Sequence, residues 1–116
     1  MPKVVWIAFL GLWLLGSPAA AADKYGAIAY NFSTGASGFS HDYHSRDGAE
    51  ERALDECGNG CEVVAWVKNS CAALAIGDDG WGWGRASSRA EAEKEALFQC
   101  GHRTDGCEVK VWVCSG

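Results

Sequence analysis

The sequence predicts a single α+β domain made of two copies of one strand, strand, helix, strand unit, stapled by disulfides. Three observations carry this. First, Ser45-Arg46-x-x-Ala49-Glu50-x-x-Ala53-Leu54-x-x-Cys57-Gly58 returns as Ser88-Arg89-x-x-Ala92-Glu93-x-x-Ala96-Leu97-x-x-Cys100-Gly101, and Gly60-Cys61-Glu62-Val63-x-x-Trp66-Val67 returns as Gly106-Cys107-Glu108-Val109-x-x-Trp112-Val113. Repetition at this length marks a duplicated structural unit. Second, the chain carries six cysteines, an even number. Third, small residues recur every four positions in the middle of each repeat, while β-branched and aromatic residues crowd its end.

The elements follow in chain order. Residues 25–30 are small and apolar with strand character, and Ala73-Leu74-Ala75 repeats their Ala27-Ile28-Ala29 centre. Each repeat, spanning about 24–70 and 71–116, therefore opens on a strand. The stretches Asn31-Phe32-Ser33-Thr34-Gly35 and Gly77-Asp78-Asp79-Gly80 are rich in residues that tolerate positive φ, so each first strand turns into a hairpin. Ser88 and Glu91 have capping-box spacing at a helix start, and Ser45 stands at the same place in the first repeat, with Gly48 where the reciprocal Glu would be.

Ala49, Ala53 and Cys57, like Ala92, Ala96 and Cys100, make a narrow small-residue stripe that lets a helix sit close to a sheet. Gly58 and Gly101 just past each stripe suit a left-handed C-terminal cap. Val63-Val64-Ala65-Trp66-Val67 and Val109-Lys110-Val111-Trp112-Val113 then read as the closing strands, with Trp66 and Trp112 expected in the core or against a disulfide. A single unit would leave one sheet face bare, so the two halves must share a core.

The N-terminus has one cation, Lys3, an apolar run from Val4 to Leu15, then Pro18 and an alanine box. This is the layout of a secretory signal peptide, residues 1–22, with cleavage after Ala22. The apolar run is too short to span a bilayer, which takes roughly 20 residues, and no cysteine near the cut offers a lipid anchor. Secretion or a periplasmic site is expected, with no membrane anchor after cleavage. The leader takes one Lys with it, leaving nine Lys plus Arg against 15 Asp plus Glu, a mature net charge of −6. Such a balance disfavours nucleic acid and anionic membranes as partners. It serves solubility and also favours a basic protein partner.

In an oxidising compartment six cysteines read as three disulfides. Cys57 with Cys61 and Cys100 with Cys107 bracket equivalent helix-to-strand turns, so local pairs are the economical choice, leaving Cys71 to meet Cys114. A zinc site is the rival, but neither C-x3-C nor C-x6-C has the usual knuckle spacing. No metal or cofactor is expected.

Tyr25-Gly26-Ala27-Ile28-Ala29-Tyr30, the two Ser-Arg-x-x-Ala-Glu helix starts, Asn69-Ser70-Cys71-Ala72-Ala73-Leu74-Ala75, Trp81-Gly82-Trp83-Gly84 and Val111-Trp112-Val113-Cys114 together resemble the family called domain of unknown function 4189. The resemblance implies a small exported bacterial protein with paired cysteines and supplies no catalytic residues.

Several constellations invite a chemical reading. Asp78 and Asp79 precede Trp81 and Trp83, which alternate with glycines and would share one side of a strand. Exposed, they would form an aromatic platform for a sugar ring or a protein hot spot, with carboxylate acceptors beside it; buried, they would fill the core. As a calcium loop the Asp pair lacks further oxygen ligands. His41-Asp42-Tyr43-His44-Ser45 could serve a small hydrolase, or simply be a solvated strand end leading to a helix cap. Glu62 and Glu108 match by duplication, and paired carboxylates can hydrolyse glycosides. Arg46 and Arg89 oppose the helix dipole at a first turn, so their repetition suggests a packing or ion-pair role. The expectation from the whole chain is a non-enzymatic binding domain of inhibitor or immunity type for a basic exported protein. An envelope-glycan binder using Trp81 and Trp83 is the alternative, and a hydrolase is less favoured.

Overall fold

A computed structural model describes residues 22–116; residues 1–21 of the expected leader lie outside the described residues. In order the elements are β1 (Tyr25–Tyr30), β2 (Ser37–Tyr43), α1 (Arg46–Cys57), β3 (Glu62–Lys68), β4 (Cys71–Ile76), β5 (Trp81–Ala86), α2 (Arg89–Gly101) and β6 (Glu108–Cys114). Each repeat is a strand, strand, helix, strand unit. The strands form two three-stranded antiparallel-paired sheets, ordered β2-β1-β3 and β5-β4-β6, so the opening strand of each repeat is its centre.

The sheets stack face to face, and each carries its own helix on the outside. The alternation of β1 and β4 dictates this. Ile28, Tyr30, Ala72 and Leu74 point between the sheets, where Val67, Val111 and Val113 meet them. Ala27 and Ala29 face Ala49 and Ala53 of α1, and Ala73 and Ala75 face Ala92 and Ala96 of α2. Both helix seams are built from alanine and cysteine, so the backbones approach closely. Glycine extends this to the edge strands: a Cβ on Gly38 would strike Ala53 O, and one on Gly82 would strike Cys100 N.

Disulfides join Cys57–Cys61, Cys100–Cys107 and Cys71–Cys114. The first two close the helix-to-strand turns. The third bridges β4 to β6 at the position where the first sheet pairs Tyr25 with Lys68, so it breaks the symmetry of the repeats. The Ser45 hydroxyl accepts from Gly48 N at 3.1 Å and the Ser88 hydroxyl from Glu91 N at 3.3 Å, capping both helices. Among the described residues no bond returns from the Glu91 carboxylate, so the box is half made. Gly58 caps α1 at φ 97°, its N–H reaching Leu54 O. Gly101 does not cap α2. The longer turn between Cys100 and Cys107 lets that helix run on to Gly101 and end at right-handed His102.

The repeated Ser-Arg-x-x-Ala-Glu start has a structural meaning beyond its cap. Arg46 lies over the Trp66 ring at 4.3 Å and Arg89 over the Trp112 ring at 3.9 Å, each also bonding the Glu four residues on, Glu50 at 2.8 Å and Glu93 at 2.9 Å. The glutamate offsets the unfavourable helix-dipole position of the arginine, and the indole holds its guanidinium. Both tryptophans are lids over the helix starts: Trp66 is half-buried and packs, as expected, against the seam that holds Cys57 and Cys61, whereas Trp112 remains 39% exposed and outside the core. Arg89→Ala should cost about 1 kcal/mol, the sum of an exposed cation–π contact and a surface ion pair. Urea unfolding of that variant, with Arg46→Ala beside it, checks the value.

Candidate functional site

The register makes the two lateral borders of the sandwich comparable. Ala29 pairs with Gly38 as Ala75 pairs with Gly82, so Ser37 and Phe39 stand where the second repeat has Trp81 and Trp83. Gly82 and Gly84 face α2, which turns both indoles toward the space between the sheets. Trp81 and Trp83 are half-buried there against the inter-sheet core. Phe32 packs on Trp81 with ring centres 5.1 Å apart, Arg103 lies 5.8 Å from the same ring, and Arg85 lies 5.6 Å from Trp83. Arg85 also crosses between sheets, donating to Trp66 O at 3.1 Å. The β3–β5 border is filled.

The opposite border, between β2 and β6, is closed at the end where Asp42 meets Ser115 and Gly116 and open along its outer flank. With Ser37 and Phe39 in place of two tryptophans, it leaves a groove of about 970 Å³. Phe39 and Trp112 are 49% and 39% exposed in its wall, and His41, Arg52, Glu56 and Lys110 supply polar groups. A depression of about 470 Å³ beside α2, lined by Trp83, Arg85, Glu91 and Glu95 among others, is the smaller concavity.

Asp78 and Asp79 are exposed at the β4–β5 hairpin tip, adjoining the loop before β6. Asp78 N donates to Asp105 O and Asp79 N to the Thr104 hydroxyl, while the Asp78 carboxylate fills the space a side chain would need at Gly106, whose φ of 71° already favours glycine. Asp78, Asp79 and Asp105 thus give this end of the molecule an acidic face, next to Trp81.

The 41–45 segment is bent by Asp42, at φ 60°, which breaks the simple alternation expected of a strand there. His41 lines the groove and meets Asp42 Oδ2 at 3.2 Å. Asp42 is otherwise committed to the C-terminus: its carboxylate accepts from Gly116 N at 3.0 Å and its own N–H donates to the Ser115 hydroxyl at 2.9 Å. Ser45 spends its hydroxyl on the helix cap, and no hydrogen bond joins it to either histidine among the described residues. Glu62 and Glu108 are exposed at the starts of β3 and β6, one in each sheet. Among the described residues no group of three or more His, Cys, Asp or Glu is arranged to hold a metal ion, and no helix is long and apolar enough to cross a membrane.

The Gly116 N–H, and beside it the His41 ring, hold the Asp42 carboxyl below the usual carboxylate range. A depressed value means that the ionised latch stabilises the fold above the unfolded value, near 3.9, and loses this as pH falls through the folded one. Asp42→Asn keeps an acceptor and tolerates the positive φ but lacks the charge. The variant should be less stable than the native protein at neutral pH and converge with it as pH falls through the lowered folded value. Urea midpoints across pH measure that gap, and a gap constant down to pH 2 would remove the latch.

Fold and borders together define a duplicated, disulfide-stapled α+β domain with one closed and one open side. The chain belongs to the DUF4189 family, a domain of unknown function, which it matches over residues 25–114. It is similar to Protein Rv1269c of Mycobacterium tuberculosis, 38% identical over 96 residues, covering 82% of this chain and 73% of that one. It is also similar to Uncharacterized protein Rv1813c of the same organism, 33% identical over 103 residues, with 88% and 68% covered. The NMR structure of Rv1813c superposes with a TM-score of 0.61 at 31% identity, covering 84% of this chain and 79% of that chain.

Proposed function

We propose that this is an exported, non-enzymatic binding domain that engages another exported protein in the manner of an inhibitor or immunity factor. The observation that carries the reading is the open β2–β6 groove, with Phe39 and Trp112 exposed in a frame that three disulfides hold rigid. A surface ordered beforehand loses little entropy on binding, and exposed aromatics are the usual anchors of an interface. Export supports it from the sequence side, through the leader and the disulfides. The acidic hairpin end favours a basic partner, with Asp78 and Asp79 guiding the approach.

Capture on the immobilised oxidised protein from an envelope extract and culture fluid tests this. A basic protein should be retained, and its association should slow as the Debye length falls from about 10 Å at 0.1 M salt to about 3 Å at 1 M. Asp78→Asn with Asp79→Asn should lower the on-rate more than the off-rate. Release by soluble envelope glycan would favour the sugar-binding alternative. Turnover of an ester or glycan that vanishes in His44→Ala would replace the binding reading with an enzymatic one.

A further inference from the structure

The walls of the open groove are strand edges. Ser37 to His41 and Lys110 to Cys114 all line it, five consecutive residues from each strand. Side chains in a strand alternate between faces, so an unbroken run in the lining means that the backbone edge itself forms the wall. Among the described residues β2 pairs with no strand but β1 and β6 with none but β4; the C-terminal residues Ser115 and Gly116 cover the β2 edge at Asp42, and residues 37–41 turn theirs outward. Bare edges of this kind are templates for a further strand.

The closed border shows what covering such edges takes in this fold. There Arg85 donates to Trp66 O and Arg103 to Trp81 O, each at 3.1 Å, and Trp83 fills the space between. Trp112 is the counterpart of Trp66, pairing with Ala73 as Trp66 pairs with Ala27. Among the described residues no side chain donates to Trp112 O. His41, at the β2 bulge opposite the place of Arg85, turns to Asp42 instead. Charge selects the occupant. The protein is acidic, yet in the groove Glu56 is paired with Arg52, which leaves the Lys110 ammonium without a carboxylate among the described residues. Lys110 is exposed and makes no ion pair among the described residues.

We infer that the β2–β6 border takes an extended peptide segment of a protein partner by strand addition, with apolar side chains on Phe39 and Trp112 and a carboxylate at Lys110. This rests on the binding reading above and supplies its site and local chemistry. Main-chain hydrogen bonds provide the affinity in such a complex, and alternate side chains the specificity. A second copy of this acidic chain offers the groove no matching carboxylate excess on the same edge, which is why a partner segment is the assigned occupant.

A displayed library of random nonapeptides selected on the oxidised protein tests the inference. Enriched sequences should alternate apolar residues with at least one Asp or Glu. For a synthetic acetylated winner, N-methylation of every second amide should cost about tenfold in affinity in one register and little in the other, because an added strand uses alternate N–H groups. Lys110→Glu should weaken it about threefold, and Phe39→Lys should abolish binding; circular dichroism confirms that both variants fold. No enrichment, equal tolerance of N-methylation in both registers, or indifference to Phe39→Lys would overturn the inference. So would a concentration-dependent dimer that Phe39→Lys dissolves, since a second copy would then fill the groove. A captured partner that Phe39→Lys still retains would refute strand addition while leaving the binding reading intact; capture of no protein would refute the reading itself.

Discussion

Replacing Cys71 and Cys114 together by Ala should lower stability by about 4 kcal/mol, the largest effect of any covalent change in the chain. The bridge spans 43 residues, against 7 for Cys100–Cys107 and 4 for Cys57–Cys61. In the chain-entropy account the cost of losing a cross-link grows with the logarithm of its loop, which gives about 2 kcal/mol for each short pair and about 4 for the long one. Position reinforces length. The long bridge joins β4 to β6 at the end of the second sheet, beside Ser115 and Gly116, which reach back to Asp42. Losing it frees the C-terminal strand as well as enlarging the unfolded ensemble. Urea unfolding of the three double variants should rank them in that order, and equal losses would show that the native strand pairing, rather than loop closure, sets the stability.

Gly82→Ala should cost about 3 kcal/mol, the upper end of what overpacking a tight contact produces. Its Cβ would meet the α2 backbone at Cys100 N and Gln99 C, which cannot rotate aside as a flexible side-chain tip would. The helix would have to lift from the sheet, loosening the seam of Ala92, Ala96 and Cys100 against Ala73 and Ala75. Gly101→Ala is the control, because nothing lies within 4 Å of the Cβ it would gain and the backbone there is helical. It should be neutral or slightly stabilising. Thermal melts of the pair decide the matter, and similar melting points would mean that the close approach of α2 carries no weight.

Much of the fold was legible because its causes are local. The duplicated helix starts, the alanine stripes and the closing strands each declare themselves within a dozen residues, and the duplication then pairs the cysteines. The number of sheets was less legible. A bare sheet face requires a partner, but nothing in the spacing says that the partner is a second sheet rather than an extension of the first. Arg46 and Trp66, like Arg89 and Trp112, lie far apart in sequence and meet only when a helix start is laid against the last strand of its own repeat. Without that contact both tryptophans read as core or disulfide-packing residues.

The groove was hidden for a related reason. Its existence depends on Ser37 and Phe39 replacing Trp81 and Trp83, a comparison that needs the two hairpins aligned through strand register. Their turns differ in length and composition, Asn31 to Ala36 against Gly77 to Gly80, so apart from the short Ala27-Ile28-Ala29 and Ala73-Leu74-Ala75 match the repeat is plain only from Ser45 onward. Glycine alternation did place Trp81 and Trp83 on one side of their strand. Which layer that side faces follows only from α2 occupying the glycine face.

The central claim is that the open border, rather than the aromatic hairpin end, is where a partner is held. Amide hydrogen exchange of the protein, alone and with its captured partner, tests this directly. The account predicts new protection along residues 37–41 and 110–114, with the hairpin at Asp78 and Asp79 changed little. Protection confined to Asp78, Asp79, Trp81 and Trp83, with both open edges exchanging as fast as before, would contradict it.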